Sequence, residues 1–136
     1  MRLSKEDRNS LVNYRLEKAK ETFTEVSIHI ENKLWRTAAN RLYYACYYAA
    51  TALLINDGHE THTHNGVNVV LSLNYVKENI LDKNFIKTYG RLFNMRQRGD
   101  YEDWINITEN DVLPLVEPAE KFISEIEKLI NKCQSD

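Results

Sequence analysis

The chain is expected to fold as an all-α, up-and-down bundle of four to five helices, and three observations carry that expectation. Apolar residues recur at spacings of three and four through most of the 136 residues, the pattern of helices that bury one face. No stretch alternates apolar and polar residues as a strand does, and no hairpin turn separates β-branched runs. One segment, Thr37–Leu54, carries two tyrosine pairs (Tyr43/Tyr44 and Tyr47/Tyr48), six alanines and a single charge, Arg41. Its apolar and aromatic residues fall on nearly every side of a helix, so other helices should surround it. The alanines and Cys46 would let their backbones come close.

The elements follow in order. Ser4 with Asp7 reads as an N-cap and an acidic first turn. Val12, Leu16, Ala19, Phe23, Val26 and Ile30 then form an apolar stripe, opposite Arg15, Lys18, Glu21, Glu25 and Asn32. This first helix is amphipathic and belongs on the outside of the bundle. The second runs from about Leu34 to Ile55, and Asp57-Gly58 supplies its stop. A polar loop, His59–Asn65, precedes a third helix whose buried set is Val67, Val70, Leu71, Val76 and Ile80. The fourth starts near Asp82 and buries Phe85, Ile86, Tyr89, Leu92 and Phe93, with Gly90 inside it. Gly99 is expected to end it or bend it sharply. Thr108, with Asp111 three residues on, marks the next cap, and the fifth helix runs to about Lys132. It buries Val116, Ala119, Phe122, Ile123, Ile126 and Ile130. Pro114 fits its first turns, whereas Pro118 should kink it or delay its start.

Length and composition bound the rest. A single domain, 1–136, is expected from the length. Hydrophobic residues at 43% and charged residues at 28% argue for a soluble globular chain and against disorder. The net charge of -2 gives no overall positive field, so contact with nucleic acid needs a local basic patch. The N-terminus lacks the apolar core of a secretion signal. The longest uncharged run, Leu42–Asn56, is too short and too rich in tyrosine to cross a bilayer. Cys46 and Cys133 have no neighbours at metal-ligand spacing and read as free thiols of a reducing compartment. A cytoplasmic protein without membrane association is the expectation.

Three places hold polar residues that packing alone does not require. In the second helix, Thr37, Asn40, Arg41, Tyr44, Tyr48 and Thr51 line one side. They either fix the register of facing helices or, through Asn40, Arg41 and Tyr44, support a site at the bundle surface. In Arg91–Tyr101, three guanidiniums (Arg91, Arg96 and Arg98) precede Asp100 and Tyr101. Arginine suits phosphate because its planar fork donates two parallel hydrogen bonds, and a phenol beside it can orient a phosphate or 2′-hydroxyl or stack on a base. The plainer reading pairs Arg96 with Asp100 or Asp103 at the helix end. The third place is the loop holding His59, Glu60, His62 and His64. HETH is not the helical HExxH zinc pattern, and no carboxylate or cysteine completes a set, so neither a metal nor a cofactor is expected. His64-Asn65-Gly66 reads as a helix cap or a contact to the fourth helix. No nucleophile elbow and no glycine-rich phosphate loop occurs.

Taken together, Ala39-Asn40-Arg41-Leu42-Tyr43-Tyr44-Ala45, the second aromatic pair with Ala49-Ala50, Leu53-Leu54 and Gly58 form one half of a pattern. Thr63-His64-Asn65-Gly66, Tyr75-Val76-Lys77, Leu92-Phe93, Arg96 and Gly99-Asp100-Tyr101 complete it. In order and spacing, over about residues 8–130, the chain resembles the small stand-alone prokaryotic members of the HEPN family (higher eukaryotes and prokaryotes nucleotide-binding domains). The resemblance implies a helical bundle that pairs into a homodimer. It also implies a toxin–antitoxin-like role beside a minimal nucleotidyltransferase partner, and in many members metal-independent cleavage of RNA. In those enzymes an arginine is followed, after four to six residues, by a histidine, with both copies facing a dimer cleft. The arginine neutralises charge on the phosphorane and the histidine moves protons. Here Arg96 matches the arginine, but after four intervening residues stands Tyr101. The tyrosine that receives a nucleotide in the regulated toxins, two residues further on, is matched by Asp103. A phenol titrates near pH 10 and shuttles protons poorly at neutral pH.

Three readings follow from this departure. In the first, a dimeric protein holds RNA or a nucleotide through Arg96 and Tyr101, with support from Asn40, Arg41, Tyr44, His64, Arg98 and Asp100. In the second, Arg96 and Tyr101 form the catalytic pair of an active ribonuclease. In the third, the domain serves only dimerisation.

Overall fold

The computed structural model describes residues 3–61, 63–102 and 106–134. Five α-helices and one π-helical turn make up the fold, and no strand occurs among the described residues: α1 (Lys5–Glu31), α2 (Trp35–Asn56), α3 (His64–Leu71), the π turn (Ser72–Val76), α4 (Lys83–Tyr101) and α5 (Glu109–Gln134). The helices begin where the caps fall in the sequence. Ser4 Oγ accepts from the Asp7 amide at 3.0 Å, Asp82 Oδ1 from the Asn84 amide at 2.8 Å, and Asp111 Oδ2 from the Thr108 amide at 2.9 Å. Each satisfies a polar group at a helix start, or fixes the capping residue that does so.

The central helix is α2, which lies against α1, α4 and α5. Ala38, Ala39, Ala45, Ala49, Ala50, Ala52 and Cys46 are fully or almost fully buried along it, with Leu42, Tyr43, Leu53 and Leu54. Small residues there let α1 and α5 approach, and the Cys46 thiol sits 3.8 Å from the Ala119 carbonyl of α5. Burial pushes that thiol's pKa far up, so it is an inert filler. Val12, Leu16, Ala19 and Val26 of α1 and Val112, Leu115, Ala119, Phe122, Ile126 and Ile130 of α5 close the core from either side. Lys20 of α1 forms an ion pair with Glu127 of α5 across their outer edge.

The end of α2 is a Schellman turn. Gly58 adopts φ 81°, the His59 amide donates to Leu54 O at 2.8 Å, and the Gly58 amide donates to Ile55 O at 3.2 Å. The same bonds recur at the end of α1, where Lys33 takes the left-handed position at φ 58°. The Leu34 amide there reaches His29 O at 2.8 Å.

Three expectations are corrected. Gly99 does not break α4, which continues to Tyr101. The glycine is instead buried under neighbours: a Cβ on it would lie 3.4 Å from Ile107 Cγ1 and 3.6 Å from Arg36 Cγ. Arg36, at the start of α2, donates to its carbonyl. Pro118 neither kinks nor delays α5, which holds both prolines. Each proline removes one amide bond, but the carbonyl facing Pro118 belongs to Pro114, an exposed residue that water can reach. The buried face from Val112 to Ile130 holds the helix together across the gap. Ile80 is exposed rather than buried, because the π turn after α3 shifts the inward face to Tyr75. The Tyr75 hydroxyl donates to Asp57 Oδ2 at 2.6 Å, tying this turn to the end of α2.

Candidate functional site

The site lies where α2 and α4 cross, near the start of α3. Arg96 and Asp100 are four residues apart on α4, so both face α2, whereas Arg91 and Arg98 lie round the helix on another side. The three-guanidinium cluster of the sequence is therefore split. Arg91 and Arg98, with Asn94, Met95, Asn106 and Ile107, border a separate groove of about 310 Å³. Arg98 makes a loose ion pair with Glu102 at 3.9 Å.

Arg96 is only 7% exposed. Its guanidinium carbon lies 5.0 Å from the ring centre of Tyr43, 5.7 Å from Tyr44, 5.8 Å from Phe93 and 5.9 Å from Tyr101. Ring faces attract a cation, and more strongly where water is excluded. One of its nitrogens approaches Asp100 Oδ2 at 3.7 Å, beyond hydrogen-bond range, and its buried Nε has no hydrogen-bond partner. A buried charge left with donors to spare is costly. The plainer sequence reading, an Arg96–Asp100 pair, is present, but only as a loose contact. Asp103, the alternative partner, falls outside the described residues.

Asp100 is held in turn from α2. Asn40 Nδ2 donates to Asp100 Oδ2 at 3.2 Å, while Asn40 Oδ1 accepts from Arg41 Nε at 3.1 Å and from Arg41 Nη2 at 2.7 Å. Arg41 also lies 5.3 Å over the Tyr44 ring. Arg96, Asp100, Asn40 and Arg41 thus form one chain of polar groups with a net charge of one positive unit. Tyr101, 72% exposed, stands at its outer end.

His64 enters the site from α3. It is not the helix cap, since Thr63 Oγ1 accepts from the Gly66 amide at 2.8 Å and takes that part. Nor does it rest on the fourth helix alone. Its ring lies 4.5 Å from Tyr47 of α2, and its Nδ1 is 2.5 Å from the Tyr43 hydroxyl, which is 3.3 Å from the Tyr89 hydroxyl of α4. Burial and the Arg96 charge hold the imidazole below its ordinary 6.5, so it is neutral at pH 7. Burial pushes Tyr43 up to about 12, with the Tyr89 hydrogen bond and the Arg96 charge opposing, and drives Tyr89 higher still. Both phenols therefore keep their protons, and one run of hydroxyls ends on His64.

The first histidine of the loop goes elsewhere: His59 lies edge-on to Tyr75 at 5.9 Å. His62 is outside the described residues. Among the described residues no three His, Cys, Asp or Glu side chains converge in a metal-binding group. Of the sequence-predicted residues, the structure brings together Arg96, Asp100, Asn40, Arg41, Tyr44, Tyr101 and His64, and leaves Arg98 apart. Tyr43, Tyr47 and Tyr89 were missed as parts of the site, because phenols that pack among apolar residues of α2 and α4 read as core. The doubled tyrosine pair beside Arg41, the single charge within Thr37–Leu54, was the available signal.

The family model described as HEPN domain matches residues 12–129. A Thermotoga maritima protein named UPF0332 protein is 32% identical over 91% of this chain and 94% of its own. A Methanocaldococcus jannaschii protein named "putative toxin" is 30% identical over 86% of this chain and 87% of its own. A second protein of that organism with the same designation is 26% identical over 86% of this chain and 80% of its own. The matched span contains α2, α3 and α4 and with them every residue of the site, and on that ground the chain belongs to the HEPN domain family.

Proposed function

We propose that this chain is a homodimeric HEPN protein of the cytoplasm that binds RNA or a nucleotide at the Arg96–Asp100–Asn40 chain. Its place is one half of a toxin–antitoxin-like pair with a minimal nucleotidyltransferase. The observation that carries the reading is the state of Arg96: a guanidinium buried under aromatic rings, with Nε unpartnered and only a loose carboxylate beside it. A phosphate oxygen drawn in under Tyr101 supplies the missing acceptor, and a charge-assisted bond of that kind is among the stronger ones available. The toxin designation of the Methanocaldococcus jannaschii relatives is consistent with such a role.

The test is fluorescence anisotropy with a labelled short RNA and a labelled nucleotide, in EDTA. Wild-type protein is expected to bind. Arg96→Ala should weaken binding by about 1.5–3 kcal/mol, the worth of a charged hydrogen bond. Because Arg96→Ala also empties a buried position, Tyr101→Ala serves as the control that cannot unfold the bundle, and it too should weaken binding. Wild-type affinity in both variants, or no binding by wild type, defeats the proposal. A strictly monomeric sedimentation profile at micromolar concentration defeats its dimeric part.

A second reading has its own observation. His64 returns an imidazole to the neighbourhood of Arg96, where Tyr101 had replaced the family's histidine. A neutral imidazole near a phosphate-binding arginine is the pairing that metal-free RNA cleavage requires. Cleavage of total RNA in EDTA by wild type, lost in both Arg96→Ala and His64→Gln, would establish it.

A further inference from the structure

Cations and rings continue beyond Arg96 along the edge that α1 and α2 share. Arg96 and Arg41 both lie on the Tyr44 ring, at 5.7 and 5.3 Å. Tyr44 is 6.0 Å from Tyr48. Lys18 of α1 lies 5.1 Å over Tyr48 and 5.8 Å over Tyr14, whose ring is 60% exposed. Arg15, beside them on α1, borders a groove of about 320 Å³ with Tyr47, Thr51 and His59. From Arg41 to the level of Thr51 this edge runs about 15 Å at the helical rise.

Two features separate this edge from ordinary surface packing. None of Arg15, Lys18 and Arg41 forms an ion pair among the described residues, although the chain is acidic overall. Of the neighbouring carboxylates, Glu17 contacts Lys20 at 3.9 Å, and Glu60 borders the Arg15 groove but forms no ion pair with Arg15. Moreover, the cations alternate with the rings, the arrangement in which phosphates meet charges while bases meet π-faces.

We propose that this edge is a binding track for single-stranded RNA, with Tyr14 as an open stacking ring and Arg15, Lys18 and Arg41 as phosphate contacts. The track leads a strand to or from Arg96, so the proposal deepens the function assigned above and rests on it only at that end. It distinguishes RNA from an isolated nucleotide as the ligand, since a mononucleotide spans one end alone.

The test titrates the full chain with a fluorescein-labelled ten-nucleotide oligouridylate and, separately, with labelled uridine monophosphate, at several salt concentrations. Tyr14→Ala should weaken oligomer binding about fivefold or more, as loss of a stacking ring does. Lys18→Ala and Arg15→Ala should each flatten the dependence of log affinity on log salt by about 0.7, the share of one phosphate contact on a single strand. Mononucleotide binding should not change in any of them. Oligomer binding untouched by the three variants overturns the track. So does a mononucleotide that binds while the oligomer does not, although the Arg96 proposal then stands. If neither ligand binds, both fall. Should the variants convert a dimer to a monomer in sedimentation, the edge is a self-association face, and the track is again overturned.

Discussion

At the scale of single residues, the Tyr43 hydroxyl links the core to the site. It lies between the Tyr89 hydroxyl and His64 Nδ1, and its ring carries the Arg96 guanidinium. Tyr43→Phe removes the link but keeps the ring, leaving the buried Tyr89 hydroxyl without that hydrogen-bond partner. The expected cost is about 1–3 kcal/mol in chemical denaturation. His64, at the other end of that link, bears on pH. The folded chain holds His64 below its ordinary 6.5, so the unfolded chain binds the proton more readily. The His64 contribution to stability is therefore full above about pH 6.5 and declines as pH falls through the interval toward the lowered folded value. Melting curves from pH 7.5 to 5 should show a smaller acid-side loss in His64→Gln than in wild type, and an equal loss in both would contradict the assignment.

Several of these residues were legible beforehand and others were not, for physical reasons. Arg96, Asp100 and Tyr101 stood out because charges beside a glycine attract notice, and Asn40 and Arg41 because they interrupt an apolar helix. Which arginines share a face follows from helical period once Gly99 is known not to end the helix. The error there was to take glycine as a turn when it served close approach by Arg36 and Ile107. Tyr43 and Tyr89 look like any core aromatic until another helix brings their hydroxyls together.

At the scale of elements, starts were easier to read than stops. Ser4, Asp82 and Thr108 with Asp111 are cap residues whose side chains do the bonding, and sequence displays them openly. The end of α1 shows nothing of the kind, since Lys33 occupies the left-handed position that glycine prefers. Every non-glycine residue there bears a Cβ clash with its carbonyl. Lys33→Gly should thus raise stability by about 1 kcal/mol, measured as a higher denaturation midpoint with an unchanged slope. A drop in the midpoint would mean that the Lys33 side chain contributes more than its backbone conformation costs. The Pro118 expectation failed for a complementary reason. A proline disrupts most where its missing bond leaves a carbonyl dry, and the exposed side of α5 does not.

At the scale of the whole molecule, the all-α bundle followed from periodicity, and the central place of α2 from apolar and aromatic residues on nearly every side of it. The apolar stripes of α1 and α5 were likewise visible, because burial there repeats every three or four residues without interruption. The site was not, since it depends on how α2, α3 and α4 meet, and no single helix records that. The π turn shows the same limit, for it broke the register that the third helix was expected to keep. It also gives the molecule a little slack. A wide turn of this sort holds one residue more than a regular helix requires to cover the same arc. A deletion inside it, such as loss of the exposed Leu73, should be absorbed by tightening, with Tyr75 still able to reach Asp57. Loss of Asn68 from α3 has no such reserve and would swing the following side chains by about 100° round the axis. Thermal unfolding of the two deletion variants should separate them widely, and equal destabilisation would show that the surplus residue is not spare.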